Sequence, residues 1–204
     1  MRRTKEEAAI TRKQVLKKAL TVFSKKGYAA TTLEDIASEA KVTRGAIYHH
    51  FGGKAELYNT LIREYSDRGN LIMQQAVAEG GTLLDILRRV FVRQLEVIED
   101  DHEMRALMEL ALFKTGLIPE LEEGRQQRID TGEALIEMLT GIMSQGIEQG
   151  LLRADIDPKE VARAYLAFQN GLINLWLNAP NQFSLKASAE SFADILMAGI
   201  QNQE

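Results

Sequence analysis

Apolar residues recur along this chain at spacings of three and four, which is the period of one helix face, and runs that alternate as strands require are scarce. Val15, Leu16, Ala19, Leu20 and Phe23 predict a helix over about 11–26. Thr11 and Gln14 have the spacing of a capping box at its start, and Gly27 suits a left-handed stop at its end. Tyr28 is then expected to pack beneath the third helix. Leu33, Ile36, Ala37 and Ala40 predict a second helix, opened by Thr31 with Glu34 or by Thr32 with Asp35. Lys41-Val42 leaves room only for a turn. Thr43 caps a third helix whose Ile47 and Phe51 face inward, while Arg44, Gly45, Tyr48 and His49 lie on other faces. A helix, a short turn and a second helix with polar, basic and aromatic residues near its start is the shape that enters a DNA major groove.

The pattern continues as a series of longer amphipathic helices. The fourth spans about 55–79 and ends at Gly80-Gly81, with Leu57, Leu61 and Ile62 inward early and Ile72, Met73 and Val77 inward late. Gly69 in its middle eases bending. Because it belongs to both halves of the chain, this helix is the natural lever between them. Further helices are expected over about 83–99, 103–114, 119–149, 158–178 and 185–201, with Ala111 and Leu112 on the inner face of the sixth. The fold class is all-α, with about nine helices. An N-terminal three-helix helix-turn-helix DNA-binding domain is expected over 1–54, and a second, C-terminal helical domain over 55–204.

Charge sharpens this division. The whole chain carries a net −4, but residues 1–65 hold 13 Lys+Arg against 7 Asp+Glu, while the remainder holds 12 against 22. A basic head on an acidic body is the asymmetry of a protein that meets phosphate at one end. Arg2, Arg3 and Lys5 read either as a solvated terminus or as an arm reaching DNA. The chain has no cysteine, which excludes disulfides, thiolate metal sites and cysteine nucleophiles. No phosphate-binding loop or catalytic triad is present, so neither an enzyme nor a cofactor is expected. His49 and His50 are adjacent on a helix and point about 100° apart, which argues against a metal site and leaves His50 as a packing residue. No apolar run approaches the length of about 18 residues that a membrane span needs, and the expected compartment is the cytoplasm.

The run from Phe23 to Leu57 resembles the DNA-binding domain of the tetracycline-repressor (TetR) family. The carrying residues are Phe23, Gly27-Tyr28, Thr31-Thr32, Asp35-Ile36-Ala37, Ala40, Val42-Thr43, Gly45, Ile47-Tyr48, His50-Phe51, Lys54 and Leu57. Lys41 stands where the family usually has glycine, and Gly52-Gly53 replaces a more usual polar pair. The resemblance implies that Thr32, Thr43, Arg44, Gly45, Tyr48, His49 and Lys54 contact double-stranded DNA. Thr32 would donate to a phosphate and Arg44 would read guanine or clamp a phosphate. Gly45 lets the backbone approach, Tyr48 meets a thymine methyl and a phosphate, and Lys54 takes a phosphate.

The second half is similar to the multidrug-sensing (AcrR-like) branch of that family at Met108-Glu109 through Lys114, Gly171-Leu172, Leu175-Trp176-Leu177, Ala179-Pro180 and Phe183 through Leu185. Phe113 and Thr115-Gly116 depart from the polar residues common there. A pocket enclosed by helices 4 to 8 would be lined by Phe91, Leu95, Met108, Leu112, Met138 and Phe168, side chains that adapt to varied apolar shapes. Asn170 and Asn174, four apart on an otherwise apolar helix, would face inward and need a partner. A ligand, a water or a second subunit could each supply it. Helices 8 and 9 form the expected homodimer seam, with Ala167, Gly171, Ala189, Ala193, Ala198 and Gly199 allowing close approach and Leu172, Leu175, Trp176, Phe192, Ile195 and Leu196 supplying area. The function so implied is a dimeric repressor that binds a palindromic operator. A hydrophobic or amphipathic small molecule releases it, and an efflux or detoxification gene is under its control. The alternatives are a sensor of a metabolite such as an acyl-coenzyme A, and a ligand-independent DNA-bound structural or cell-division factor.

Overall fold

The computed structural model describes residues 5–202, which form nine α-helices, one short 3-10 turn and one isolated antiparallel bridge between Leu152 and Gln201. Arg2 and Arg3, read either as a solvated terminus or as an arm, lie outside the described residues, and Lys5 begins the first helix. The chain divides into two compact units. One comprises residues up to Asp67 with Glu103–Arg125, and the other Arg68–His102 with the residues from Gln126 onward. The segment 1–54 expected to read DNA lies inside the first unit, which extends beyond it.

The first unit is built on α1 (Lys5–Ala30), α2 (Leu33–Ala40), α3 (Arg44–Phe51) and the opening of α4 (Lys54–Ala78), with most of α6 (His102–Phe113) and the 3-10 turn Pro119–Leu121. α1 starts six residues earlier than the pattern predicts. Glu6 and Glu7 occupy its first turn, where carboxylates complement the helix dipole. Thr11 therefore sits inside the helix and donates back to the Glu7 carbonyl at 2.9 Å, while Gln14 reaches the Ala40 carbonyl at 3.0 Å. The Thr11–Gln14 pair does not act as a capping box.

Gly27 does break the helix, at φ 76° and ψ 166°. That positive-φ, extended-ψ conformation is essentially confined to glycine, and a Cβ there would stand 3.1 Å from the Lys114 carbonyl oxygen. α2 is opened by Thr32 with Asp35 in a reciprocal capping box, one of the two expected pairs. It is closed by Lys41 in the left-handed conformation, at φ 54° and ψ 42°. Thr43 caps α3 by accepting from the Ala46 amide.

Val15, Phe23, Tyr28, Ile36, Ile47 and Leu57 are completely buried in one cluster that also takes in Leu107, Leu110 and Leu121. Each such side chain contributes about 1.5–3 kcal/mol by leaving water. The inner residue near the end of α6 is thus Leu110. Ala111 and Leu112, expected inward, are exposed. Ion pairs fasten α1 to α2, with Lys26 on Asp35 at 2.7 Å and Lys18 on Glu39 at 3.0 Å. Arg12 lies over the Phe51 ring at 5.1 Å, tying α1 to α3.

The second unit comprises the rest of α4 with α5 (Leu83–Asp100), most of α7 (Glu122–Glu148), α8 (Pro158–Asn178) and α9 (Leu185–Ile200). Its helices are capped from the side chains that begin them. Thr82 forms a capping box with Asp85, Asp157 takes two amides of α8, and Ser184 takes the Ala187 amide of α9. α5 lies along α9, with α8 beside both. Arg88 of α5 pairs with Glu190 and Asp194 of α9. The Glu99 carboxylate accepts from the Ser184 hydroxyl and the Lys186 amide, both within 2.9 Å. The buried Tyr165 hydroxyl donates to the Leu87 carbonyl at 2.8 Å, and the Trp176 indole donates to the Phe183 carbonyl at 3.0 Å. Late in α4 the buried residue is Ala76. Val77, expected inward, is 54% exposed.

Candidate nucleic-acid interface and effector site

The two short helices α2 and α3 present one exposed surface. Thr32, Thr43, Arg44, Gly45, Tyr48 and His49 are all exposed, while Ile36, Ala37, Ile47 and Phe51 are buried beneath them. Arg44 is already organised there. Its guanidinium lies 5.8 Å from the Tyr48 ring centroid, and its Nη1 donates to Glu34 at 3.2 Å. Tyr48 and then Glu34 raise the Arg44 pKa, so it stays charged. A cation stacked on an aromatic face and aimed outward suits a phosphate or a guanine edge. Gly45 has no crowding neighbour, since a Cβ would meet only the Thr43 hydroxyl at 3.8 Å. The protein's own packing does not require glycine there, which leaves the space beside α3 for a partner backbone.

Thr32 and Lys54, both expected to donate to phosphate, are engaged within the chain. The Thr32 hydroxyl donates to Asp35 Oδ2 at 2.9 Å and accepts from the Asp35 amide at 3.1 Å. Asp35 is pushed down to about 2 by Lys26 first and by the Thr32 backbone and hydroxyl next, so it remains an anion beside the reading face. Lys54 donates to the carbonyls of Tyr28 and Thr31 at 3.3 and 3.1 Å, and lies 3.7 Å from Glu120. Its Nζ also stands 4.3 Å from the Tyr28 ring centroid. Tyr28 itself is stacked on Phe23 and edge-on to Tyr58, so its ring packs between α1 and α4, in the same core cluster as Ile47 and Phe51 of α3. Burial, reinforced by Glu120, pushes its hydroxyl pKa far above the ordinary tyrosine value. His50 is half-buried, with its ring between those of His49 and Phe51 at 5.4 and 6.2 Å. Among the described residues no group of three or more His, Asp or Glu is placed to hold a metal.

The expected effector residues fall into both units. Met108 and Leu112 belong to the first, where Met108 is buried and Leu112 is 48% exposed. In the second, Phe91 and Leu95 are completely buried, Phe168 stacks on Phe91 at 5.9 Å, and Met138 is 42% exposed. Asn170 and Asn174 do not face inward. Both lie on the exposed side of α8, where Asn174 accepts from the Asn178 amide at 3.2 Å. The inward amide is Gln169, 3% exposed, with Nε2 held to the Phe91 carbonyl only at 3.5 Å. Spacing of four from Tyr165 and Ile173, both buried, was the available signal for Gln169.

The exposed side of α8 and α9 is a stripe. Ala167, Asn170, Gly171, Asn174 and Leu175 continue it along α8, and Ile195, Ala198 and Gly199 along α9. Of the residues expected at a dimer seam, Ala189, Ala193, Leu172 and Trp176 are instead buried within the chain's own core. Leu175 and Ile195 are 60% and 61% exposed, large values for side chains of that size.

Comparison with known proteins accounts for this arrangement. Residues 15–61 match the family described as "Bacterial regulatory proteins, tetR family", and residues 82–201 match "MAATS-type transcriptional repressor, C-terminal region". The chain is 32% identical over 197 residues to the HTH-type transcriptional regulator AcrR of Shigella flexneri, covering 96% of this chain and 92% of that one. It is 33% identical over 195 residues to the HTH-type transcriptional regulator TtgR of Pseudomonas putida, covering 95% and 93%. Among solved structures it is similar to NalD, described as the secondary repressor of the MexAB-OprM multidrug efflux pump in Pseudomonas aeruginosa. The TM-score there is 0.87 and the identity 25%, over 98% of this chain and 100% of that one. No helix among the described residues is long and apolar enough to cross a membrane. A helix-turn-helix with an outward Arg44–Tyr48 pair, joined to an all-helical body that matches a repressor C-terminal region, places this chain in the tetR family of bacterial transcriptional regulators.

Proposed function

We propose that the chain is a ligand-responsive transcriptional repressor that binds a palindromic operator as a homodimer, and that it controls an efflux or detoxification gene. The observation that carries this reading is the exposed face of α2 and α3, where Thr32, Thr43, Arg44, Gly45, Tyr48 and His49 stand over a fully packed base. The likeness to AcrR, TtgR and the efflux-pump repressor NalD supports the regulated process. DNA reading is assigned to the segment 1–54, and ligand binding and dimerisation to 55–204. The exposed stripe of α8 and α9 is assigned to the dimer seam, with Asn170 and Asn174 hydrogen-bonding across it instead of to a ligand. A two-fold dimer then presents two α3 helices to successive turns of DNA.

The effector is assigned to the apolar face that includes Phe91, Leu95, Phe168 and Met138, with Gln169 as the amide that orients it. Phe91 and Phe168 form an aromatic wall, and Gln169 has only one long hydrogen bond to surrender. This is the chemistry of an amphiphile with an aromatic or alicyclic body. Its effect on DNA requires unequal affinity for the operator-binding and released states.

The test is twofold. Selection from a random duplex pool should return a palindrome. A thermal-shift screen should find amphiphiles that raise Tm, by roughly 5–10 °C at a hundred times Kd. A pool with no enriched site would end the repressor reading. Shifts from acyl-coenzyme A esters alone would replace a multidrug effector with a metabolite.

A further inference from the structure

The environment of Lys54 holds an unused donor. A lysine ammonium has three N–H groups. Two are directed at the Tyr28 and Thr31 carbonyls, at 3.3 and 3.1 Å. The third has no closed hydrogen bond: it is left to the face of the Tyr28 ring, whose centroid is 4.3 Å from Nζ, and to Glu120, whose Oε1 is 3.7 Å away. That is an ion-pair distance, beyond the 2.7–2.9 Å of a closed charge-assisted bond. Lys54 is well covered, with 21% of its side chain exposed, whereas Glu120 is 53% exposed. The Thr31 carbonyl that takes one donor immediately precedes Thr32, on the exposed reading face. A phosphate oxygen docking there and the Glu120 carboxylate would seek the same third N–H.

Glu120 is not carried on a loose loop. It sits in the segment between α6 and α7, which is clasped to the helix-turn-helix in several places. The Tyr28 amide donates to the Lys114 carbonyl at 2.9 Å, and the Lys114 ammonium to the Ser24 carbonyl at 3.0 Å. The Thr115 hydroxyl uses its hydrogen on the Leu110 carbonyl at 2.7 Å, so Tyr58 donates to Thr115 at 2.9 Å. Around this clasp three buried polar atoms lack a closed hydrogen bond: Ser24 Oγ, Asn59 Oδ1 and Tyr28 OH, the last beside Glu120 without completing a bond to it. Buried polar groups are normally paired.

We propose that Glu120 is an intramolecular competitor for Lys54, occupying the place of a DNA backbone phosphate and so holding operator affinity below its maximum. The segment that carries Glu120 then sets affinity by how close it brings the carboxylate to Nζ. The proposal rests on the reading of α2, α3 and the start of α4 as the DNA-binding head.

The experiment measures operator affinity by fluorescence anisotropy for the full-length wild type, Glu120→Gln, Glu123→Gln and Tyr48→Ala, and for the first two in a Lys54→Met background. Glu123 is an exposed carboxylate three residues along and serves as the charge-matched control. Glu120→Gln should tighten binding by about two- to fivefold, the range of an exposed ion pair, and Glu123→Gln should not. The gain should vanish with Lys54→Met. Should Lys54→Met fail to fold, the salt dependence of Glu120→Gln alone decides, because one more phosphate contact steepens the log–log slope by about 0.9. Weaker or unchanged binding by Glu120→Gln overturns the proposal, as does a gain that survives Lys54→Met or an equal gain from Glu123→Gln. Tyr48→Ala separates the two readings. If it leaves affinity unchanged, the head assignment itself fails. If it abolishes binding while Glu120→Gln does nothing, only the competition fails.

Discussion

The Arg44 guanidinium rests 5.8 Å from the centre of the Tyr48 ring, one helical turn along α3, and both side chains point away from the core. The stack lowers the number of conformations Arg44 must give up on meeting DNA, and Glu34 holds its other side. Each side chain should therefore matter to affinity without mattering to folding. Arg44→Ala and Tyr48→Ala should each weaken operator binding by roughly 1–3 kcal/mol, with Tm and dimer mass unchanged. Binding titrations beside thermal melts check this. Equal loss of affinity and of Tm would mean that the pair is structural.

Lys41 holds a left-handed conformation that costs a non-glycine residue about 1–2 kcal/mol. Lys41→Gly should remove that strain and raise Tm by roughly 2–8 °C, as measured by calorimetry. A fall in Tm would show that the Lys41 side chain supplies a compensating contact.

The acid limb of stability should carry the signature of Asp35. Its carboxyl is depressed on folding, from the ordinary 3.8 to about 2, by Lys26 and Thr32. A carboxyl lowered in the folded state stabilises above its unfolded value and loses that contribution as pH falls through its folded value. Wild type should therefore out-melt Asp35→Asn at pH 6, and the gap should close between pH 4 and pH 2. A gap that stays constant across that range would detach the capping box from the charge effect.

Much of the head was legible in the sequence because its signals are local. Thr32 with Asp35, Thr43, and the Ile36–Ile47–Phe51 set are each determined by residues a few positions away, and the structure has them as expected. Gly27 breaks α1 where expected, but with ψ 166° in place of the left-handed stop. The errors came where one local signal overrides another or where long-range packing decides. Thr11 looks like a cap, but Glu6 and Glu7 extend α1 past it. Asn170 and Asn174 look inward only if the apolar face of α8 is centred one residue off. The helix turns 100° per residue, so that shift exchanges them for Gln169. The approach of Glu120 to Lys54, and the packing of Leu110 and Leu121 into the head's core, join residues far apart in the chain. No spacing rule reaches that far.

The α8–α9 stripe predicts a specific failure. Leu175 and Ile195 make little use of the chain's own core, so Leu175→Glu with Ile195→Glu should leave a folded chain that sediments as a monomer and no longer holds a palindromic duplex. A dimer that survives both substitutions would move the seam elsewhere. Exposed apolar side chains at 60% and 61% make such a survival unexpected.

In the proposed repressor one molecule carries both an operator site and an effector site, coupled to each other. The most direct measurement titrates an amphiphile found by thermal shift into a complex of the protein with its selected, dye-labelled operator, followed by anisotropy. Operator Kd should rise by about 5- to 150-fold, a coupling of about 1–3 kcal/mol, and operator should lower amphiphile affinity by the same factor. An amphiphile that binds and raises Tm, yet leaves operator Kd unchanged at saturation, would contradict it.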